Sequence, residues 1–374
     1  IYLSGIDCNF TNITITSSSS NNPNNESSKS AHGGAIYVLG GSYYGYGNTI
    51  SNIIIDNATS SSDNFKSDGG AIYWAGTSGS LVNATISNTL ANGKGGAIYW
   101  SGSSDVVDNI SIEYSRTNVT NSSESADGGA IYSTGINNLT NVYISASIAS
   151  KDKGDIKGGA IFYNGAEMSN ITVVRSRAST ENGTSFGGAI FWDGSAVGNL
   201  HNATFEENHA DLGGAVYSTR TTNIYDASFK GNVAEDGGAL YGAKNDDILT
   251  NVSFIHNSAK RGGAIFTDNV QINMFDSTLI NNTAEASGAA LYHNYVDKAG
   301  NSEIANTQML NNTAYKGSAV YATDFKNFKM KDVVLLDNQA NANRFTEKTV
   351  GVLANGSNYT SAIFLGNDTL LNSM

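Results

Sequence analysis

The sequence predicts an all-β protein that folds as a single parallel β-helix (a solenoid) of about 12–13 coils over residues 1–374. Two recurring phrases predict this fold, together with the order in which they alternate along the chain. In both phrases apolar and polar residues alternate over a few positions between Gly, Asn and Ser, which is the pattern of a short strand. One such unit cannot bury its apolar face alone, whereas stacked units bury a continuous core.

The first phrase is Gly-Gly-Ala followed by an aliphatic and an aromatic residue, and it predicts the first strand of each coil. It or a close variant recurs every 24 to 36 residues, at Gly33, Gly69, Gly95, Gly128, Gly158, Gly187, Gly213, Gly237, Gly262, Gly288 and Gly317. The glycine pair provides backbone angles and a close approach that a Cβ would prevent. The strand allows two orientations. Either Ile36 and its equivalents point inward and Tyr37 and its equivalents form an outer aromatic ladder, which we favour, or the tyrosines point inward.

The second phrase is a strand that ends in Phe-x-x-Asn or a looser copy of it. Its closing asparagines are Asn208, Asn232, Asn257, Asn282, Asn312 and Asn338, and Ser115, Ser147 and Ser176 take that place earlier in the chain. Asn tolerates turn conformations, and equivalent Asn residues in stacked coils can hydrogen-bond along the axis. We therefore predict a structural Asn ladder here in preference to a ligand site.

The length of the connection between the second phrase and the next Gly-Gly divides the chain into two parts. Residues 188–374 form compact regular coils, with connections of five or six residues after Asn208, whereas coils in residues 1–187 have longer ones at the same corner. The long connections are Ser17–Ser30, Thr59–Ser67, Arg116–Asp127, Ile148–Lys157 and Arg177–Phe186. Because they follow the same corner, they emerge on one side and predict a polar ridge. The ridge is either a binding face or a set of solvated loops.

The composition excludes several classes of protein. The net charge is −12 and the 21 Lys and Arg residues are scattered, which argues against a nucleic-acid partner. Cys8 is the only cysteine, so no intramolecular disulfide and no Cys-based metal cluster can form. The chain has no apolar run long enough to cross a membrane, and so no transmembrane segment is predicted in it. No motif predicts a cofactor.

Eighteen Asn-x-Ser/Thr sequons indicate possible N-glycosylation of a secreted protein. The alternative is that strands with alternating Asn and Ser/Thr residues produce sequons by chance. The candidate acceptors are Asn12, Asn25, Asn83, Asn109, Asn118, Asn121, Asn170, Asn182, Asn202, Asn251 and Asn311.

A second candidate site is a strip of aromatic residues. Trp74, Trp100, Tyr163 and Trp192 each follow the repeated Ile-Tyr/Phe pair, and Tyr44 lies close behind the first such pair. If these rings are exposed, they form a contact strip suited to stacking on sugars or on a partner. If they point inward, they fill or cap the core.

Enzymes that cleave polysaccharides are the catalytic alternative for a parallel β-helix. Their sites need paired carboxylates, or Arg and Lys with calcium-binding acids, on neighbouring coils. Asp246-Asp247 is the only adjacent pair of aspartates and has no His or Arg signature beside it. A calcium ladder would need carboxylates in consecutive coils, whereas Asp68, Asp127 and Asp236 alternate with basic residues. We therefore predict a protein without catalytic or metal-binding residues.

The two phrases resemble the polymorphic outer-membrane-protein repeat of bacterial autotransporter adhesins, Gly-Gly-Ala-(Ile/Leu/Val) and Phe-x-x-Asn. They are also similar to phrases in the adhesin-like surface proteins of methanogenic archaea. The resemblance covers nearly the whole chain. It implies a right-handed parallel β-helix displayed at a cell surface, and it provides no catalytic residue.

The sequence therefore predicts a non-catalytic extracellular protein of the cell surface, an adhesin-like rod. Its expected partners are surface glycans or proteins of a host or a neighbouring cell. The alternative is a structural protein that assembles end to end with copies of itself into a filament or sheath.

Overall fold

The computed structural model describes residues 1–4, 8–22, 30–39, 47–62, 67–120, 124–194, 196–243, 246–294, 302–322, 328–340 and 363–365. These residues form strands and turns and contain no helix, so the predicted all-β class is confirmed. Strands of successive coils pair in parallel and stack as a β-solenoid, as predicted. The chain divides into two compact units, Ile1–Gly194 (unit 1) and Ser195–Met374 (unit 2), and each has this architecture.

A short strand follows each Gly-Gly pair, and these strands stack into the first sheet of each unit. In unit 1 they are Tyr2–Leu3, Ile36–Val38, Ile72–Trp74, Ile98–Trp100, Ile131–Ser133, Ile161–Tyr163 and Ile190–Trp192. In unit 2 they are Val216–Ser218, Leu240–Gly242, Ile265–Asp268, Leu291–Asn294, Val320–Ala322 and Ile363–Leu365. Ile72 pairs with Ile98 and is buried, whereas Tyr73 lies on the outer side. The favoured orientation, with the aliphatic residues inward, is confirmed.

The second phrase forms the second sheet. In unit 1 its strands are Asn9–Asn22, Thr49–Ser62, Gly79–Ala91, Ser104–Val119, Asn138–Ser145 and Glu167–Val174. In unit 2 they are Gly198–Glu206, Thr222–Lys230, Asp247–Ile255, Ile272–Phe275, Thr278–Ile280, Ser302–Ala305, Gln308–Leu310, Phe328–Lys331 and Val334–Leu336. Buried and exposed residues alternate along them, so one face of the sheet covers the core.

Two corners in each coil are formed by residues with positive φ. The first corner lies within the second strand, as at Asn52 (φ 52°) and Asn83 (φ 56°). The second corner lies five residues later, as at Asn57 (φ 55°) and Asn88 (φ 54°). Asn and Asp predominate at these corners because their side chains tolerate the left-handed conformation better than other L-residues.

A third strand follows the second corner. In unit 1 the four long strands of the second sheet up to Val119 continue past this corner, and later coils have separate strands, Ile148–Lys153 and Arg177–Asn182. Ile156–Lys157 and Ser185–Phe186 pair beyond them. In unit 2 the third strands are Ser258–Arg261, Thr283–Ser287, Thr313–Ala314 and Gln339–Ala340.

Much of the predicted ridge of long connections is therefore strand, not loop. Arg116 pairs with Ile148, and Ile148 pairs with Arg177. Because successive connections have similar lengths, their backbone N–H and C=O groups pair with the next coil instead of with water. The parts of the ridge that lie in these strands form an ordered sheet.

The Gly-Gly pair brings this third strand close to the first sheet. Gly95 has φ +65°, which L side chains rarely adopt. A Cβ on Gly96 would collide with the carbonyl oxygens of Gly129 and Arg116. The first glycine thus provides the turn and the second allows contact with the backbone of the third strand, as the sequence indicated.

Candidate functional site

The outer side of the third strands in unit 1, together with the second corner, forms a surface that we call the third face. Three rows of side chains cover it, with one residue of each row from each coil. The corner row is Ser17, Asn57, Asn88, Tyr114, Ala146 and Arg175, all with positive φ. The next row is Ser19, Thr59, Leu90, Arg116, Ile148 and Arg177, and the last is Asn21, Ser61, Asn92, Asn118, Ser150 and Ser179.

Part of the third face is a groove of about 590 Å³. It is lined by Asn57, Thr59, Asn88, Thr89, Leu90, Tyr114, Arg116, Asn118, Ile148 and Ser150. The lining combines amides, hydroxyl groups, one phenol ring and one guanidinium. Its described residues include no carboxylate and no imidazole.

Tyr114 is the unusual residue of this groove. Its φ is 54° and its side chain is 53% exposed, whereas the preceding coils carry Asn57 and Asn88 at the same corner. A left-handed conformation costs about 1–2 kcal/mol for an L-residue that is not Gly, Asn or Asp. The exposed ring fills no core space that would offset this strain. Tyr114 is therefore a candidate binding residue.

Three exposed arginines, Arg116, Arg175 and Arg177, lie on the third face. None of them forms an ion pair or a side-chain hydrogen bond with another described residue. Arg116 and Arg177 are two strands apart, which corresponds to roughly 9–10 Å along the stack. The three rows contain these three cations and no acidic residue, although the whole chain has a net charge of −12. Asp152 and Glu181 lie two positions further along the same strands, so the positive charge is confined to the rows that contain the arginines.

Two acidic residues precede the corner, on the outer side of the second strand. Asp56 accepts hydrogen bonds from the Ser87 hydroxyl (2.6 Å) and the Asn88 amide (2.8 Å). These bonds lower the pKa of the Asp56 carboxyl. Glu113 occupies the equivalent place one coil beyond Ser87. Neither carboxylate lines the groove.

This groove was not directly predicted from the sequence. The long connections predicted a polar ridge on this side of the coils, but not the pocket or the two residues that give it chemical character. Aligning the coils at the second corner would have provided a signal, because Tyr114 takes a place that Asn occupies in the two preceding coils.

The closing asparagines of the second phrase lie buried in one column in unit 2. In this column the backbone N–H and the Nδ2 of Asn232 both donate to Oδ1 of Asn257, at 2.9 and 3.0 Å. Asn257 donates to Asn282 in the same way, and the pattern runs from Asn208 to Asn338. Each amide from Asn232 onward also donates to a backbone carbonyl of the preceding coil. Because these polar groups are paired with one another, the column closes the corner without water.

The tryptophans predicted as a contact strip lie in the core. Trp74, Trp100, Tyr163 and Trp192 are each 0% exposed, and the rings of Trp74 and Trp100 stack with centroids 4.2 Å apart. They occupy the third position of the first strand, and strand alternation turns that position to the same side as the buried isoleucine. The exposed-strip interpretation is therefore wrong for these four residues, and they fill the core. Tyr44 lies outside the described residues.

The outer aromatic ladder is formed instead by the residue before each of these positions. Rings of Tyr2, Tyr37, Tyr73 and Tyr99 stack in unit 1 with centroids 4.8–5.6 Å apart. In unit 2 the stack runs through Tyr217, Tyr241, Phe266, Tyr292 and Tyr321. The stack in unit 1 continues from Tyr99 to Tyr132, and burial raises the pKa of Tyr132 to about 12. The ladder is mainly a packed layer, since its central members are buried.

A column of alternating charge flanks this ladder in unit 1. The residue before Gly-Gly is His32, Asp68, Lys94, Asp127 and Lys157 in successive coils. Oδ1 of Asp68 accepts from the backbone N–H of Lys94 (2.8 Å), and Oδ1 of Asp127 accepts from that of Lys157 (2.9 Å). Nζ of Lys94 donates to the Tyr132 hydroxyl and lies 4.3 Å from that ring's centroid. Each charge thus contacts the neighbouring coil.

Most of the candidate glycosylation sites that the structure describes lie at exposed corners. Asn12, Asn83, Asn109, Asn170, Asn202, Asn251 and Asn311 have positive φ and are exposed. Asn118 and Asn182 are exposed at the third strands. Several corner amides also form an outer ladder, in which Nδ2 of Asn109 donates to Oδ1 of Asn83 (2.7 Å). Asn25 and Asn121 lie outside the described residues.

Two buried side chains of unit 2, Asp247 and His293, have strongly shifted pKa values. Asp247 is inaccessible, and its Oδ1 accepts from the backbone N–H and the hydroxyl of Thr222, at 3.0 and 2.6 Å. Its Oδ2 has no hydrogen-bond partner among the described residues, and burial raises the pKa of Asp247 to about 7. Burial lowers the pKa of His293 to about 4, and its Nδ1 lies 2.6 Å from the Thr267 hydroxyl.

Neither a metal-binding cluster nor a membrane-spanning helix is found in the described part of the chain. No cluster of three or more His, Cys, Asp or Glu side chains is arranged to hold a metal ion there. Over the same residues no helix has the length and apolar character that crossing a membrane requires.

One segment of the chain matches a protein-family model. Residues 251–268 match the Chlamydia polymorphic membrane protein repeat. The segment contains Phe254–Asn257 and the Gly-Gly-Ala that begins at Gly262, so it includes both phrases. The predicted type of repeat is confirmed. The comparison with curated proteins gave no match, and neither did the comparison with solved structures. The repeat and the β-solenoid together suggest a surface protein.

Proposed function

We propose that this chain is a non-catalytic extracellular protein of the cell surface, adhesin-like, which binds a ligand on another surface through the third face of unit 1. The observation that carries the proposal is the groove, where the exposed ring of Tyr114 in a left-handed conformation lies beside Arg116. The neighbouring corner residues Ala146 and Arg175 share this conformation, and Tyr114 is the place in the row where it presents an exposed aromatic ring.

The construction of the groove supports binding. Its walls are side chains on parallel strands that are hydrogen-bonded to the coils on both sides, so their positions are fixed before any ligand arrives. Such preorganisation reduces the entropy lost on binding. Hydrolysis of a glycosidic bond uses two carboxyl groups that flank it. The described lining has none, which supports a binding role.

Adhesion of coated beads tests the proposal. Beads that carry the purified chain should be retained on cell monolayers or on a panel of immobilised glycans and matrix proteins, and the free chain should compete with them. Beads coated with chain unfolded by heat are the control. Retention no greater than that of the control beads on every surface would contradict the adhesin role.

The same preparation separates the two alternatives. A self-assembling subunit would sediment as concentration-dependent filaments, and an enzyme would release reducing ends from polysaccharides. We expect neither result from the folded chain.

Surface localisation and N-glycosylation belong to the same proposal. Brief protease treatment of intact source cells should remove the protein while cytoplasmic markers survive. An N-glycosidase that cleaves at asparagine should lower the mass of the protein isolated from its source. The exposed corner sequons, such as those at Asn83 and Asn170, support this expectation.

A further inference from the structure

We propose that the groove of the third face binds an acidic saccharide, a uronic-acid oligosaccharide, with Tyr114 stacking on a sugar ring and the arginines of the face holding the carboxylates. The inference rests on the proposed function, because it names the ligand class of the same site. Three observations carry it: the exposed ring, the unpaired guanidinium groups and the neutral polar rows around them.

The ring provides the apolar contact. Tyr114 is 53% exposed and lines the groove together with Leu90 and Ile148 from the adjacent strands. A tyrosine ring combines a flat apolar face with a polar edge, which suits the C–H face of a pyranose. Leu90 and Ile148 pair on either side of Arg116, so an apolar side chain flanks Arg116 in each of the two neighbouring coils.

The arginines provide the charge. Guanidinium groups recognise carboxylates through two parallel N–H donors. Arg116 and Arg177 lie in one row on either side of Ile148, roughly 9–10 Å apart, and Arg175 stands at the corner beside them. None has an ion-pair partner among the described residues, so a ligand carboxylate would not have to displace one. Two or three carboxylates spaced along an extended oligosaccharide would match this row.

The neutral side chains provide the remaining recognition. Asn57, Asn88 and Asn118 present amides to the groove, and Thr59 and Ser150 present hydroxyl groups. Such groups donate to and accept from sugar hydroxyls. Nucleic acid is the weaker match, because three cations on a chain with net charge −12 neutralise few phosphates.

The test measures binding of the full chain to a hexamer of galacturonic acid by isothermal titration calorimetry at low salt. The neutral galactose hexamer and a single-stranded DNA oligonucleotide of similar charge are the comparison ligands. Because Asn118 lies in a sequon, the chain is produced in a host that adds no N-glycans.

Two groove variants are compared with a matched control. R116Q/R177Q removes two positive charges from the third face, and Y114N places at the corner the residue that the two preceding coils carry. K329Q/K331Q removes the same charge from exposed positions in unit 2. We expect R116Q/R177Q and Y114N each to weaken binding of the uronate at least about fivefold to tenfold. The control should stay within about twofold of the original affinity, since distant surface charges contribute little. Circular dichroism verifies that each variant is folded.

Several results would overturn the proposal. These are no measurable uronate binding, equal affinity for the neutral hexamer, equal or tighter binding of DNA, or groove variants that bind as the control does. The bead assay, repeated with R116Q/R177Q, separates this failure from failure of the proposed function. Beads that still adhere when the groove is altered would leave an adhesin with a different ligand site, whereas beads that never adhere would remove both proposals.

Discussion

Replacing the buried carboxyl of Asp247 with an amide should raise the free energy of unfolding, relative to the parent chain, progressively as pH rises from about 4 to about 7. The Asp247 side chain is inaccessible, and its Oδ2 has no partner among the described residues. An amide keeps the shape and still accepts the two hydrogen bonds from Thr222 at Oδ1. D247N therefore removes the charge with little change in packing.

The magnitude follows from proton linkage. The pKa of Asp247 is about 7 in the folded protein, against the ordinary value of 3.8 for an aspartate carboxyl. Between these values the folded state holds a proton that the unfolded state has released, so the free energy of unfolding falls as pH rises. Because the folded and unfolded pKa values of Asp247 differ by about three pH units, the free energy of unfolding falls by an amount on the order of 4 kcal/mol. This loss is complete above about pH 7 and absent below about pH 4.

His293 produces the opposite slope. Its pKa is lowered from 6.5 to about 4, so the unfolded state binds the extra proton in this range and stability falls as pH falls. The loss is on the order of 3 kcal/mol between about pH 6.5 and pH 4. In the unmodified chain the two effects largely cancel over this window. H293Q removes the histidine effect and so reveals the cancellation. The stability of H293Q relative to the unmodified chain should increase as pH falls.

The assay is equilibrium guanidinium denaturation followed by circular dichroism at pH 4.5, 6 and 8 for the unmodified chain, D247N and H293Q. The quantity to compare is the difference in unfolding free energy between variant and parent, because other carboxyls titrate equally in both. For D247N this difference should increase by several kcal/mol from pH 4.5 to pH 8. A constant difference at all three values would refute the reasoning, since it would mean that the folded carboxyl titrates like an unfolded one.

Three further predictions concern the ladder, the glycine pair and the core. Asn257→Ala should cost about 3 kcal/mol or more, because the two donors of Asn232 lose their acceptor. Asn251→Ala at an exposed corner should cost less, about 1–2 kcal/mol in the same denaturation assay, because Ala must adopt the left-handed conformation of Asn251. By thermal melting, Gly96→Ala should destabilise the protein by more than about 2 kcal/mol, because the new Cβ would collide with backbone atoms. In the same thermal melting experiment Gly231→Asn should be nearly neutral, because its Cβ would meet only one side chain and Asn tolerates positive φ. Tryptophan fluorescence should resist quenching by iodide until the chain unfolds, because all three indoles are 0% exposed. Strong quenching of the folded chain would support the contact-strip interpretation instead.

The fold was predictable because its information is local and repeated. Alternation in the two phrases and the Gly-Gly pair each recur many times, so a strand, a turn and a close approach could be inferred from a few residues. The inward orientation of Ile72 followed from the same alternation. Stacking then requires only that equivalent residues meet, as Phe205, Phe229 and Phe254 do with ring centroids 4.9 Å apart.

The candidate site was less predictable because it depends on where the coils differ. Trp100 could have faced either way until the strand orientation was known. The connection that contains Arg116 looked like a loop in sequence because it is polar and follows a corner. Its pairing with Ile148 depends on matching lengths in separate coils, a property that no single segment displays. Tyr114 became notable only when its backbone conformation was seen.

The alternating column from His32 to Lys157 has a consequence for how the chain finds its correct order. A solenoid of similar coils has many near-equivalent stackings, since any first strand fits on any other. If one coil were skipped, Lys94 would meet Lys157 or Asp68 would meet Asp127, and like charges would face each other beside a partly buried ladder. Charges of one sign in direct contact cost free energy, whereas the native order places each acid next to a base. The column thus disfavours every stacking in which a single coil is skipped, and it reduces the number of registers that the repetitive sequence can adopt.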